Sequence, residues 1–172
     1  MSLESVKEHF KQWGKESDIM EFDSSSATVE QAADTIGVAP AQIAKTLSFR
    51  GKEEKAILVV TAGDAKIDNK KFRHTFELKA RMLSPDEVLE QTGHAVGGVC
   101  PFGLANDLDV YLDVSMQRFD SVFPACGSSN SAIELSCEEL FEYSSAKGWV
   151  DVCKGMENPE KDASTEVNRI HN

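Results

Sequence analysis

The run AILVVTA, residues 56–62, sets the strongest limit on the fold. It is apolar apart from Thr61 and rich in β-branched side chains, and the Gly63-Asp64 turn ends it, so it reads as a largely buried strand. KTLSF (45–49) reads as a second strand, separated from the first by RGKEEK (50–55), a polar hairpin turn. A chain built on such a pair folds as layers around a sheet.

Local signals on either side supply the other elements. ESVKEHFKQW (4–13) places Val6, Phe10 and Trp13 on one helical stripe, as a packing helix does. Thr28 stands three residues before Gln31 in a capping-box spacing, and Gly37 follows the last apolar turn as a helix stop. A short helix is expected from Pro40 and another over 67–74. Ser84-Pro85-Asp86-Glu87 combines a cap, a proline at the first helical position and a glutamate that completes the box, with Gly93 at the far end. Residues 109–115, 121–125 and 131–136 read as strands, Ser136 with Glu139 starts a helix running through Phe141, and WVDVC (149–153) reads as a last strand. Strands and helices are interspersed without a strict βαβ rhythm. The predicted class is therefore α/β of the α+β type, a mixed, partly antiparallel sheet with flanking helices.

The 172 residues suit one domain, 1–156, followed by a polar segment, 157–172, that lacks hydrophobic periodicity and is expected to be disordered. No apolar run approaches the roughly 20 residues that cross a membrane, and the start MSLESVKEHF lacks the apolar stretch of a signal peptide. A cytoplasmic protein without membrane partners is expected. The net charge of −11 argues against a broad nucleic-acid surface, DNA included. Within that acidic chain, residues 66–81 carry Lys66, Lys70, Lys71, Arg73, Lys79 and Arg81 against Asp68 and Glu77. The run is either a solvated helix face or a confined patch for the phosphates of an RNA end. Cys100, Cys126, Cys137 and Cys153 form no C-x-x-C pair, so neither a metal site nor a redox motif is expected, and no cofactor is called for.

Four features could carry chemistry. Strand alternation puts Lys45 on one face with Leu47 and Phe49, from which its ammonium either reaches water or enters a pocket. GGVCPFGL (97–104) holds three glycines and a proline. It is either a tight turn or a loop that aims main-chain N–H groups at an oxyanion. CGSSNS (126–131) either links two strands or supplies hydroxyls and N–H groups to a ligand. Cys100 with His94 could be a thiolate and its base, against the commoner fate of a small buried thiol. No G-x-S-x-G elbow supports serine catalysis.

Taken in order, TVEQAADTIGVAPAQIAKTLSF, ILVVTAGDAKIDNKKF, MLSPDEVLEQTGHAVGGVCPFGL and VYLDVSMQRFDSVFPACGSSNSAIELS resemble the YbaK/EbsC family over about residues 20–145. That superfamily includes the editing insertion domain of bacterial prolyl-tRNA synthetase. The resemblance implies a barrel-like mixed sheet and an aminoacyl-tRNA deacylase, acting in trans on mischarged tRNA of the tRNA-Pro or Cys-tRNA type. It carries the family lysine onto Lys45, and the G-x-x-x-P loop onto Gly97 and Pro101 with Gly98, Val99 and Cys100 between them. The later substrate loop falls on Gly127, Ser128 and Ser129. The implied partner is the 3′ end of an aminoacyl-tRNA, contacted by Lys66, Lys70, Lys71 and Arg73 and presented by a synthetase or elongation factor. A noncatalytic module that senses an amino acid or binds a synthetase would share every one of these motifs.

Overall fold

The apolar run at residues 56–62 becomes the middle strand of a five-stranded sheet in a computed structural model that describes residues 2–26 and 28–156. Along the chain the elements are α1 (Ser2–Phe10), β1 (Met20–Glu21), α2 (Val29–Ile36), β2 (Ile43–Arg50), β3 (Ala56–Ala62), β4 (Lys66–Ile67), α3 (Asn69–Phe76) and α4 (Pro85–Thr92). They continue with β5 (Asp109–Asp113), β6 (Phe123–Pro124), β7 (Ser131–Ala132), α5 (Cys137–Tyr143), β8 (Gly148–Val150) and β9 (Cys153–Lys154). The main sheet has the order β6-β2-β3-β5-β8, and β1–β7 and β4–β9 form two-stranded ribbons beside it. The expected tail, 157–172, lies outside the described residues.

The hairpin forms as its sequence requires. β2 pairs antiparallel with β3 from Ala44↔Ala62 to Arg50↔Ala56, while β6, β5 and β8 join in parallel, so the sheet is mixed. Leu58, Val59, Val60 and Ala62 are wholly buried, because β3 has a strand on each side and packed side chains on both faces. Each large aliphatic side chain buried in this way contributes about 1.5–3 kcal/mol. Phe49 and Phe72 pack at 4.7 Å on α3, and Phe10 packs at 4.6 Å on Phe102 beneath α1.

Helix ends follow the capping residues closely. Thr28 accepts from the Gln31 amide, Gly37 ends α2 in the left-handed region, and Ser84 and Ser136 each close a full box with Glu87 and Glu139. α3 begins at Asn69, two residues later than expected, because the Asp68 side chain accepts from the Lys70 and Lys71 amides and so fixes the start. The segment from Pro40 makes one 3-10 turn and no longer helix. The expected single strand 149–153 is two short strands in different sheets. The buried Asp113 carboxylate takes the Val152 amide at 2.8 Å, which removes that amide from any ladder, and its other oxygen takes the Ser115 amide at 2.9 Å. Residues 121–125 and 131–136 keep only short ladders, extended by single bridges at Val122↔Leu135 and Ala125↔Ala132 that run the main sheet on toward β7 and β1.

Candidate functional site

The strands and α2 enclose a cavity of about 470 Å³. One wall is apolar: Val29, Ala32 and Ile36 from α2, Ile43 from β2, and Phe123 from β6. These α2 residues repeat at helical spacing; Ala33 alone of that face is buried, and its neighbours front the cavity. Exposed Met82 and Val96 extend the apolar surface to the rim. Among the described residues that line it there is no aspartate or glutamate, and Lys45 is the one ionisable side chain.

Lys45 neither reaches out to water nor hangs free in the cavity. Its half-buried ammonium donates to the Gly63 carbonyl at 3.2 Å and the Ala65 carbonyl at 2.5 Å, so two of its three N–H donors are engaged by the turn after β3. Burial pulls its pKa down. That turn is itself braced. Arg118 donates two N–H groups to the Asp64 carboxylate at 2.5 and 3.0 Å and a third to the Ser115 carbonyl at 2.7 Å. Ser115 Oγ accepts the Ala62 amide at 3.1 Å. The position of the lysine is therefore fixed by residues far away in sequence.

Opposite stands the glycine loop. Gly97 and Val99 line the cavity, as do Ser128 and Ser129 of the second loop. Gly97 adopts φ 104°, a conformation that L side chains rarely take. The Gly98 amide closes a turn on the Ala95 carbonyl at 3.0 Å, whereas the Gly97 and Val99 amides have no hydrogen-bond partner among the described residues. Gly98, Pro101, Cys100 and Gly127 do not line the cavity. Gly98 is pressed against the second loop: a Cβ there would lie 2.6 Å from the Gly127 carbonyl carbon and 2.6 Å from the Ser128 nitrogen. Gly127 in turn abuts α1, where a Cβ would lie 2.6 Å from the Ser2 carbonyl oxygen. The Ser128 hydroxyl meets Ser131 at 2.6 Å and Asn130 at 2.9 Å, and Asn130 ties the loop to Phe22.

Cys100 sits behind the loop, fully buried, and burial pushes its thiol up to about 12. His94, also fully buried, is 3.6 Å from that sulfur, but its Nε2–H donates to the Phe102 carbonyl at 2.7 Å and its Nδ1 has no partner among the described residues. Burial lowers the His94 pKa, keeping the ring neutral near pH 7. The pair thus buttresses the loop and lacks the field that makes a thiolate. Of the basic run, Lys66 is exposed on β4, and Lys70 and Arg73 are exposed on α3. Lys71 is tied down by Asp151 at 3.1 Å and the Cys153 carbonyl at 3.0 Å.

The chain is similar to known proteins in sequence and in fold. The model of the aminoacyl-tRNA editing domain matches residues 23–143. "Uncharacterized protein YwhH" of Bacillus subtilis (strain 168) is 68% identical over 157 residues, which is 91% of this chain and 100% of the relative. "Putative Cys-tRNA(Pro)/Cys-tRNA(Cys) deacylase EbsC" of Enterococcus faecalis is 26% identical over 114 residues, 66% of this chain and 70% of that protein. The solved "Crystal structure of a putative trans-editing enzyme for prolyl tRNA synthetase" superposes with a TM-score of 0.81 at 29% identity, covering 90% of this chain and 98% of that one.

Proposed function

The chain belongs to the aminoacyl-tRNA editing domain family, and from that premise we propose that it is a free-standing hydrolase of the ester in mischarged aminoacyl-tRNA. One observation carries the reading: Lys45, whose ammonium has one N–H still available, and Gly97 and Val99, whose amides have no hydrogen-bond partner among the described residues, line the same cavity. An aminoacyl ester is already activated, so catalysis needs chiefly a fixed carbonyl and dipoles placed for the charge that develops on its oxygen. Water adds to the carbonyl carbon, and the electron pair of the C=O bond moves onto oxygen, where the Gly97 and Val99 amides stabilise it. The tetrahedral adduct then collapses and the C–O bond to the ribose breaks. The ribose oxygen takes the proton that the added water gives up, leaving a free amino acid and an RNA hydroxyl. The neighbouring ribose 2′-hydroxyl orients the water, since among the described residues no acidic or imidazole side chain lines the cavity to act as base. Lys45 holds a phosphate or carbonyl oxygen by a charge-assisted hydrogen bond.

The apolar wall of α2, Ile43 and Phe123 receives the amino-acid side chain. Such a wall discriminates by size, at ~1–3 kcal/mol per methylene. The name borne by the Enterococcus relative makes cysteine on tRNA-Pro the first substrate to try. With a net charge of −11, the protein works on tRNA handed over by a synthetase or elongation factor in the cytoplasm. The test is a panel of mischarged tRNAs incubated with the wild type and Lys45→Ala. A hydrolase cleaves at least one ester, and the variant loses about 100-fold or more of that rate. No cleavage across the panel by the wild type, with the amino acid or a synthetase bound tightly, would establish the noncatalytic module instead.

A further inference from the structure

The ribbon β4–β9 places two lysines side by side. Lys66 and Lys154 are direct register partners in an antiparallel pair, so their side chains leave the same face, and both are exposed. Their neighbours Ile67 and Cys153 face the core and hold the ribbon in place. Like charges directly opposite one another are unfavourable in a sheet, and neither ammonium has an ion pair among the described residues, Asp68 acting on Lys154 only at longer range. Each nearby acid is engaged elsewhere: Asp64 by Arg118, Asp68 by the first amides of α3, and Asp151 by Lys71. Neither Lys66 nor Lys154 has an ion-pair partner there.

The ribbon does not line the cavity but is tied to its lysine. The Ala65 carbonyl that grips the Lys45 ammonium belongs to the residue just before Lys66. Lys66 lies close enough to Lys45 to oppose its charge, after burial does so, and its stem runs beside Gly155.

We infer that Lys66 and Lys154 form a two-lysine clamp for consecutive phosphodiesters of the single-stranded RNA end whose terminal ribose enters the cavity. The inference rests on the RNA-ester reading above, and it differs from a general basic patch: it enlists Lys154, outside the basic run at 66–81, and leaves out Lys71, which is held by Asp151 and Cys153. Two ammonium groups about one cross-strand spacing apart suit neighbouring phosphates better than a lone carboxylate.

The clamp is tested by binding, which needs no turnover. Fluorescence anisotropy is read with the full chain and two deacylated probes, an RNA hairpin ending in single-stranded CCA and the same hairpin blunt-ended, at several salt concentrations. Lys66→Gln with Lys154→Gln should weaken binding of the CCA hairpin about tenfold. It should also flatten the plot of log Kd against log salt by about 1.4, the value for two single-strand phosphates. Binding of the blunt hairpin should not change, and Lys66→Arg with Lys154→Arg should keep the wild-type affinity. Because the substitution removes a repulsion, the Gln variant should melt at or above the wild-type temperature. An unchanged Kd and slope for the CCA hairpin would overturn the clamp, as would an equal loss in a control with Lys52→Gln and Lys55→Gln. A protein that binds the CCA end through these lysines yet cleaves no ester would retain the clamp and lose the hydrolase reading.

Discussion

Gly98→Ala tests how the two loops assemble the cavity. The φ of Gly98 lies outside the left-handed region, so alanine meets no backbone strain and its whole effect comes from the methyl group. That methyl would stand 2.6 Å from the Gly127 carbonyl carbon, 2.6 Å from the Ser128 nitrogen and 2.7 Å from Ser128 Cα, where ordinary contact begins at 3.4 Å. All three atoms are backbone, so no side chain can swing aside, and residues 127–128 must retreat by about 0.8 Å. Gly127 cannot move freely because Ser2 of α1 stands behind it. Overpacking of this kind costs about 1–3 kcal/mol, which in a chain of this size lowers Tm by about 2–12 °C. It also moves the Gly97 and Val99 amides relative to Ser128 and Ser129. A displacement approaching 1 Å at reacting groups can cost about 100-fold in rate. Thermal melting and ester cleavage by Gly98→Ala are compared with Gly148→Ala, whose new methyl would have nothing within 4 Å. If Gly98→Ala melts and turns over like the wild type, the close approach of the loops is not what builds the site.

Three further outcomes follow from the same geometry. Cys100→Ala should keep the cleavage rate within about twofold, because a thiol pushed up to about 12 supplies no nucleophile; it should lower stability by about 1 kcal/mol, read by urea unfolding. Arg118→Met withdraws the guanidinium, 12% exposed, from Asp64 at 20%, and should cost about 1–3 kcal/mol while lowering kcat more than it raises KM, because the turn that grips Lys45 loosens. Arg50 and the Ser84 cap hold the Glu87 carboxyl near about 2, below its ordinary 4.5. The folded state therefore favours the ionised form, and this stabilisation is full above pH 4.5 and lost as pH falls toward 2. The Tm gap between wild type and Glu87→Gln should stay level down to pH 4.5 and close below it.

Local chemistry made much of the architecture legible. The 45–62 hairpin, the start and stop of α4 and the cap of α5 are each written in a handful of adjacent residues, and each formed as read. Elements held by distant partners were not legible. β1 and β9 are two residues long, with no periodicity to detect, and exist because β7 and β4 lie beside them. The break in 149–153 depends on Asp113, whose carboxylate captures an amide 39 residues further on. At the site, alternation placed Lys45 on a face and could not say where its ammonium ends, since the answer is a pair of carbonyls in another turn. The apolar wall on α2 was hidden for a related reason: a stripe that fronts a cavity and one that fills a core have the same spacing.

The strand order has a kinetic consequence. Ile43 finds its parallel partner at Phe123, about 80 residues later, and Ile57 finds Asp109, about 50 residues later. Pairings so remote require long loops to close before any contact rewards them, which puts folding in the slower range of milliseconds to seconds. The lysine, the amides and the apolar wall come together only when residues 123–132 have joined the sheet, so a nascent chain that stops short of them has no pocket in which to act.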